Sequence, residues 1–172
     1  MVREKYISNE LVSLVEFLDE DMKEYYNNWF DFETQSGFNM VLNQSYEEYS
    51  QRERRQRWLA SIVLKSSQQV IGAISLAPFT SPPDLAIWLY KEYRGKGYGT
   101  SAFKLGITYC FSVLRLDCIY AGCYEHNDIS MKMLAKCGFK RHPNGDCEEQ
   151  HFLTKEPLMQ FDFVLYKKES SN

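Results

Sequence analysis

Apolar and polar positions along the chain fall into blocks whose period changes several times. Leu11-Val12-Ser13-Leu14-Val15-Glu16-Phe17-Leu18 is an apolar run of strand length, and Asp19-Glu20-Asp21 behind it offers a helix N-cap with an acidic first turn. A helix is expected from Met22 to about Phe30. Ser45 and Glu48 have capping-box spacing, and Tyr46, Tyr49, Trp58 and Leu59 can share one side. A second helix is therefore expected from Ser45 to near Ala60.

The pattern then turns β-rich. Ser61 to Lys65 and Val70 to Leu76 are separated by Ser66-Ser67-Gln68-Gln69 and predict a hairpin. Ser81-Pro82-Pro83-Asp84 breaks the chain, because paired prolines cannot continue a ladder. Leu85 to Tyr90 reads as a buried strand. Beyond a glycine-rich turn, Phe103, Ile107, Cys110, Phe111 and Leu114 recur at helical spacing within a helix from Thr100 to Leu114. Cys118 to Tyr124 predicts another strand, Asp128 to Lys136 a short helix closed by Gly138, and Phe161 to Lys167 the last strand. The polar tail from Glu169 reads as frayed. Strands alternating with helices predict an α/β (α+β) sandwich centred on a strand-turn-helix-strand unit.

Composition narrows the function classes. The 172 residues, 44% hydrophobic and 15% aromatic, suffice for one domain with one core, expected to span 1-172 with its core at about 10–167. The net charge is −3, and the densest basic group, Arg52, Arg54, Arg55 and Arg57, is interleaved with Glu47, Glu48 and Glu53. That is a solvated helix face rather than a track for nucleic acid. No apolar leader or membrane-length run is present, which predicts a cytoplasmic protein without a membrane partner. Five cysteines, odd in number and without CxxC spacing, predict reduced thiols, and three scattered histidines predict no metal site.

The turn between Tyr90 and the following helix carries the chemistry. Arg94-Gly95-Lys96-Gly97-Tyr98-Gly99-Thr100 places glycines at alternate positions. Glycine permits positive φ and removes Cβ, so successive N–H groups can converge on an anion. The helix N-terminus adds its partial positive charge, and Arg94 and Lys96 would supply mobile charge. A P-loop requires a lysine before the final Ser/Thr, which Gly99-Thr100 lacks, and the dinucleotide fingerprint requires a different second glycine spacing. On turn chemistry alone, a diphosphate site and a ligand-free strand-helix turn both remain.

At this point the sequence resembles the GNAT superfamily of N-acetyltransferases. Arg94-x-x-Gly97-x-Gly99 matches its Gln/Arg-x-x-Gly-x-Gly/Ala signature. Asn127-Asp128-Ile129-Ser130, with Leu134 to Phe139 behind it, matches the pattern Asn-x-x-Ser/Ala followed by a helix ending in Gly-Phe. Ala86-Ile87-Trp88-Leu89 and Asn127-x-x-Ser130 look most like the branch containing ribosomal-protein N-terminal acetyltransferases and spermidine acetyltransferases. The resemblance implies a mixed, mostly antiparallel central sheet whose parallel strands, here Leu85 to Tyr90 and Cys118 to Tyr124, splay apart to admit acetyl-CoA. It also leaves a homodimer open.

Carried over by position, the backbone of Leu89 would bind the pantetheine arm and its N–H would polarise the thioester carbonyl. The backbone of Arg94, Gly95, Lys96, Gly97, Tyr98, Gly99 and Thr100 would hold the diphosphate of coenzyme A, and Asn127 would bind from the opposite wall. Direct attack by an amine also needs a base and an acid. Relatives carry a tyrosine seven residues after the asparagine, where this chain has Leu134. Ser130 is the candidate acid, with Tyr124 a weaker substitute; the alternative is a helix residue bonding its own backbone. Glu149 and His151 are the candidate bases, with Asp84 a third choice.

In this superfamily the acceptor is chosen mainly by the first helices and the loop near the last strands. Tyr25, Tyr26, Trp29, Phe30, Phe32 and Trp58 could wall an aromatic slot or simply form core, and Asp19, Glu20, Asp21, Asp31 and Glu33 would suit a cationic amine. A peptide N-terminus, a polyamine and an aminoglycoside all remain. So does a non-catalytic module that binds coenzyme A without turnover.

Overall fold

The computed structural model describes residues 3–168, so the tail from Glu169 lies outside the described residues. Two sheets meet edge to edge. Strands β1 (Lys5–Ser8), β2 (Val12–Glu16), β3 (Trp58–Leu64), β4 (Val70–Leu76) and β5 (Leu85–Leu89) form an antiparallel sheet in sequence order. In the second, β9 (Pro157–Tyr166) pairs antiparallel with β6 (Cys118–Tyr124), β7 (Lys140–Arg141) and β8 (Cys147–Gln150). A single parallel bridge, Asp84 to Tyr120, joins them.

Period-2 alternation decides which face each residue takes. Ile74, Leu85 and Leu89 join the core under helix α4 (Tyr98–Ser112), together with Ala102 and Phe103 from that helix. Gly106 lets α4 approach closely, since a Cβ there would overlap the Ile74 side chain. Ala73 and Trp88 face the other way, into a cluster with α1 (Met22–Asn27) and α3 (Tyr46–Glu53) built from Met22, Tyr25, Trp29 and Tyr49. Helix α2 (Phe32–Phe38) lies between them in sequence, and α5 (Asp128–Lys136) follows β6.

The capping box is formed, with Ser45 Oγ accepting from Glu48 N–H and Glu48 Oε2 accepting from Ser45 N–H, worth about 1 kcal/mol. The helix it starts ends at Glu53, however, well short of Ala60. Trp58 and Leu59 begin β3, because a seven-residue apolar run can pair with both β2 and β4 and bury all but one of its residues. Helix α2 and the short strands β7 and β8 were not anticipated from the sequence. The first predicted helix stops at Asn27 and continues as a 3-10 turn through Phe30.

Candidate active site

Between β5 and α4 the chain makes a 3-10 turn at Lys91–Tyr93 and then two left-handed steps, Gly95 at φ 71° and Gly97 at φ 81°. Nothing lies within 4 Å of where a Cβ would stand on either glycine, so the space above the turn is open. Gly97 occupies the N-cap position of α4 without any side-chain cap. Among the described residues, the N–H groups from Gly95 to Thr100 have no backbone acceptor, the first such bond being Ser101 N–H to Gly97 O at 3.1 Å. Six consecutive free donors at a helix N-terminus form a concave, positively polarised surface suited to an anion.

Leu89 sits directly before this turn, opposite Gly72 on β4. Tyr90 N–H donates to Ile71 O at 2.9 Å, which makes Gly72 and Leu89 the non-hydrogen-bonded type of antiparallel pair. In such a pair the residue's own N–H and C=O face away from the partner strand. Both polar groups of Leu89 therefore face the side where β6 should continue the sheet. Beyond the Asp84–Tyr120 bridge, β5 and β6 share no further ladder, and a cavity of about 810 Å³ opens between them. The first to last residues of β5, the turn glycines and Ala121 to Tyr124 line it.

The opposite wall is the start of α5. Asn127 caps this helix, its Oδ1 accepting from Ser130 N–H at 3.1 Å, and its amide nitrogen is turned toward Gly37 of α2. Ser130 lines the cavity, and among the described residues its hydroxyl makes no hydrogen bond to the backbone of its own helix. Leu134 is buried at 2% exposure and contributes only an apolar surface to the same cavity.

Four groups with acid–base chemistry lie near this cleft. Asp84, at its apex, lines the cavity. Burial, reinforced by the Asp162 charge, pushes the Asp84 carboxyl up to about 7, and no hydrogen bond offsets this. The Tyr124 hydroxyl donates to Glu149 Oε2 at 2.8 Å, and burial together with that carboxylate raises the phenol well above its ordinary range. Glu149 also accepts from Asn39 Nδ2 at 3.3 Å and does not itself line the cavity. His151 Nδ1 accepts from the N–H groups of Leu153 and Thr154 at 3.3 and 3.2 Å, so that nitrogen holds its own turn.

The expectation of a mobile Arg94 charge is corrected, and for Tyr25, Trp29 and Trp58 the core alternative holds. The Arg94 guanidinium is not mobile: Asp31, Glu33 and Thr34 on α2 and its N-cap engage it, as does the Leu89 carbonyl. Lys96, whose Nζ donates to Glu92 O at 2.8 Å, stays exposed beside the turn. Tyr25 and Trp29 are buried core under α1 and α3, and Trp58 stacks on Tyr109 in the other core at 4.6 Å, so they do not wall a slot. Phe30 and Phe32 are exposed, and Tyr26 packs on Tyr46 and Tyr49. Sequence reasoning missed Gly72, Asn39 and Asp162, which matter only through partners distant in the chain. Among the described residues, no cluster of His, Cys, Asp and Glu could hold a metal, and no helix is long and apolar enough to cross a membrane.

Comparison with known proteins establishes the family and the fold. The model of the Acetyltransferase (GNAT) domain matches residues 7–140, and the chain belongs to that family. A probable N-acetyltransferase of Bacillus subtilis (strain 168), YjcK, is 32% identical over 99 residues, a match spanning 55% of each chain. The chain thus aligns with about half the length of that curated relative. Among solved structures, a GNAT-family acetyltransferase from Bacillus anthracis superposes with TM-score 0.76 at 17% identity, covering 93% of this chain and 97% of that one. A spermidine N-acetyltransferase from Vibrio cholerae, solved with CoA and spermine, gives 0.77 at 18%, covering 92% and 96%. At these identities the likeness establishes the fold.

Proposed function

We propose that this chain is an N-acetyltransferase that moves acetyl from acetyl-CoA to a primary amine. The observation that carries the reading is the row of unpartnered N–H groups from Gly95 to Thr100 at the end of an open cleft. They would hold the diphosphate, with Leu89 and Asn127 flanking the pantetheine arm on the two walls. A cavity of about 810 Å³ has room for that arm together with a small acceptor. When bound, the donor supplies an acetyl thioester to the cleft.

The chain's own groups supply the rest. Leu89 N–H, facing the cleft, hydrogen-bonds the thioester oxygen as negative charge develops there. Asp84 takes a proton from the neutral amine as it attacks, directly or through one water, and returns it to solvent; a carboxyl held near 7 is partly ionised at neutral pH. The new bond is C–N, the broken bond is C–S, and the departing thiolate takes its proton from the Ser130 hydroxyl or a water held by it. Ser130 in turn recovers a proton from solvent. Asp84 is better placed than Glu149 or His151, since it alone of the three lines the cavity. Glu149 reaches the cleft only through Tyr124, which makes that pair a second route for the leaving-group proton.

The cleft lining carries Glu33 and Asp84 but also Arg94, Lys132 and Lys136, so its charge does not select among a polyamine, a peptide N-terminus and another small amine. The test is thiol release from acetyl-CoA with a panel of primary amines. Release that depends on amine supports an enzyme. Tight retention of coenzyme A with no release for any amine would instead make the chain a coenzyme A sensor.

A further inference from the structure

Helix α2 bridges the open end of the cleft, tied at both ends to different halves of the fold. At its C-terminus Asn39, in the left-handed region at φ 50°, donates to Gln150 O at 2.9 Å and accepts from Phe152 N–H at 2.8 Å. Nearby, His126 Nε2 lies 3.1 Å from Ser36 O. These contacts fasten α2 to the β6 and β8 side.

At the other end, one side chain ties α2 to the donor turn. Arg94 Nη1 donates to Asp31 Oδ2 at 2.7 Å and to Glu33 Oε2 at 2.8 Å, and Nη2 donates to Thr34 Oγ1 at 2.8 Å. Its Nε donates to the Leu89 carbonyl at 2.9 Å. Four of the five donors of the guanidinium fork are thereby spent on protein acceptors. Asp31 Oδ2 also accepts from Thr34 N–H at 3.0 Å, so the carboxylate that receives Arg94 is the one that caps α2. Although partial desolvation opposes its charge, the Arg94 and Thr34 hydrogen bonds hold Asp31 below the usual carboxylate range.

Two carboxylates facing one guanidinium leave no net positive charge there for a phosphate. The bond to Leu89 O has a second effect: it fixes Leu89, whose N–H also faces the cleft. We infer that Arg94 is a positioning residue, whose side chain locks α2 to the Leu89 strand end and the donor turn instead of binding the diphosphate. Donor turn and acceptor-side helix then move as one unit. This rests on the acetyltransferase reading above for the identity of the two sides.

The variants Asp31→Asn and Arg94→Gln test it. Asparagine caps a helix as well as aspartate does, so Asp31→Asn removes charge and keeps the cap. A lock predicts that both variants speed amide exchange in residues 31–39 of the free protein. It also predicts that both shift coenzyme A affinity in the same direction, by less than about tenfold, and that the double variant is no worse than the worse single. A phosphate ligand predicts the opposite pattern: Arg94→Gln weakens coenzyme A by more than about tenfold, while Asp31→Asn frees the guanidinium and tightens it. That pattern, or unchanged exchange in α2, overturns the lock. Should Arg94→Gln not fold, Arg94→Lys, which keeps the charge and loses the fork, replaces it with the same expectations. Failure of the wild-type protein to bind coenzyme A would overturn the acetyltransferase reading alone, and the exchange measurement on the free protein would still decide the lock.

Discussion

Gly72 lies opposite Leu89 across the β4–β5 pair, and a Cβ on Gly72 would come within 2.9 Å of Leu89 Cα. On its other side, the β3–β4 ladder shifts register, with Ile62 opposite Gly72 but Val63 opposite Val70. A residue larger than glycine would push the end of β5 outward at the point where Leu89 presents its N–H to the cleft.

Gly72→Ala should therefore destabilise the fold by about 1–3 kcal/mol, as overpacking does. It should also lower kcat more than it weakens coenzyme A, because the donor turn lies further along the chain. Urea unfolding and steady-state kinetics check both parts; a folded variant with unaltered kcat would remove Leu89 N–H from the chemistry.

Gly97→Glu should abolish coenzyme A binding. A left-handed φ of 81° is strained for glutamate, and its carboxylate would occupy the space facing the free N–H groups. Calorimetric titration of the folded variant reads the result, and retained affinity would place the diphosphate elsewhere.

Asp84 gives a pH dependence with a definite sign. An active base must be ionised, so kcat/KM should fall as pH drops through about 7. For stability the direction is reversed. An unfolded aspartate titrates near ~4, so the folded state binds more protons between there and about 7, and this group's contribution to stability declines across that window as pH rises. Asp84→Asn should thus raise the melting temperature at pH 8 relative to wild type while lowering kcat/KM by about a hundredfold or more. A variant that is fully active would take Asp84 out of the mechanism.

Ser130→Ala should lower kcat by about tenfold or more and leave coenzyme A affinity within about twofold, since the hydroxyl holds no partner in the helix. Tyr124→Phe, made alongside it, shows whether the Tyr124–Glu149 pair shares the task; if neither change lowers kcat, the leaving thiolate needs no side-chain acid.

From Leu85 to Gly138 the chain was readable from sequence because its signals are local. α5 runs from Asp128 to Lys136, as expected, and the closing Gly138 takes φ 87°. The glycine turn was legible for the same reason. Where local signals misled, a long-range partner had decided the outcome. Trp58 and Leu59 fit a helical stripe, yet pairing with Leu76 and Ser75 made them strand. Arg94 looked like free charge because its carboxylates lie about sixty residues upstream, on a helix whose Ser36-Gly37 pair weakened its signal. Asp84 looked like a turn residue, and only burial beside Asp162 shows why its carboxyl titrates near neutrality.

Donor binding depends on the main chain from Gly95 to Thr100, and a crystal structure with coenzyme A tests this most directly. The prediction is a diphosphate within hydrogen-bond distance of those N–H groups, with the thiol between Leu89 and Ser130. A diphosphate bound anywhere else, or those N–H groups turned onto protein carbonyls in the complex, would contradict it.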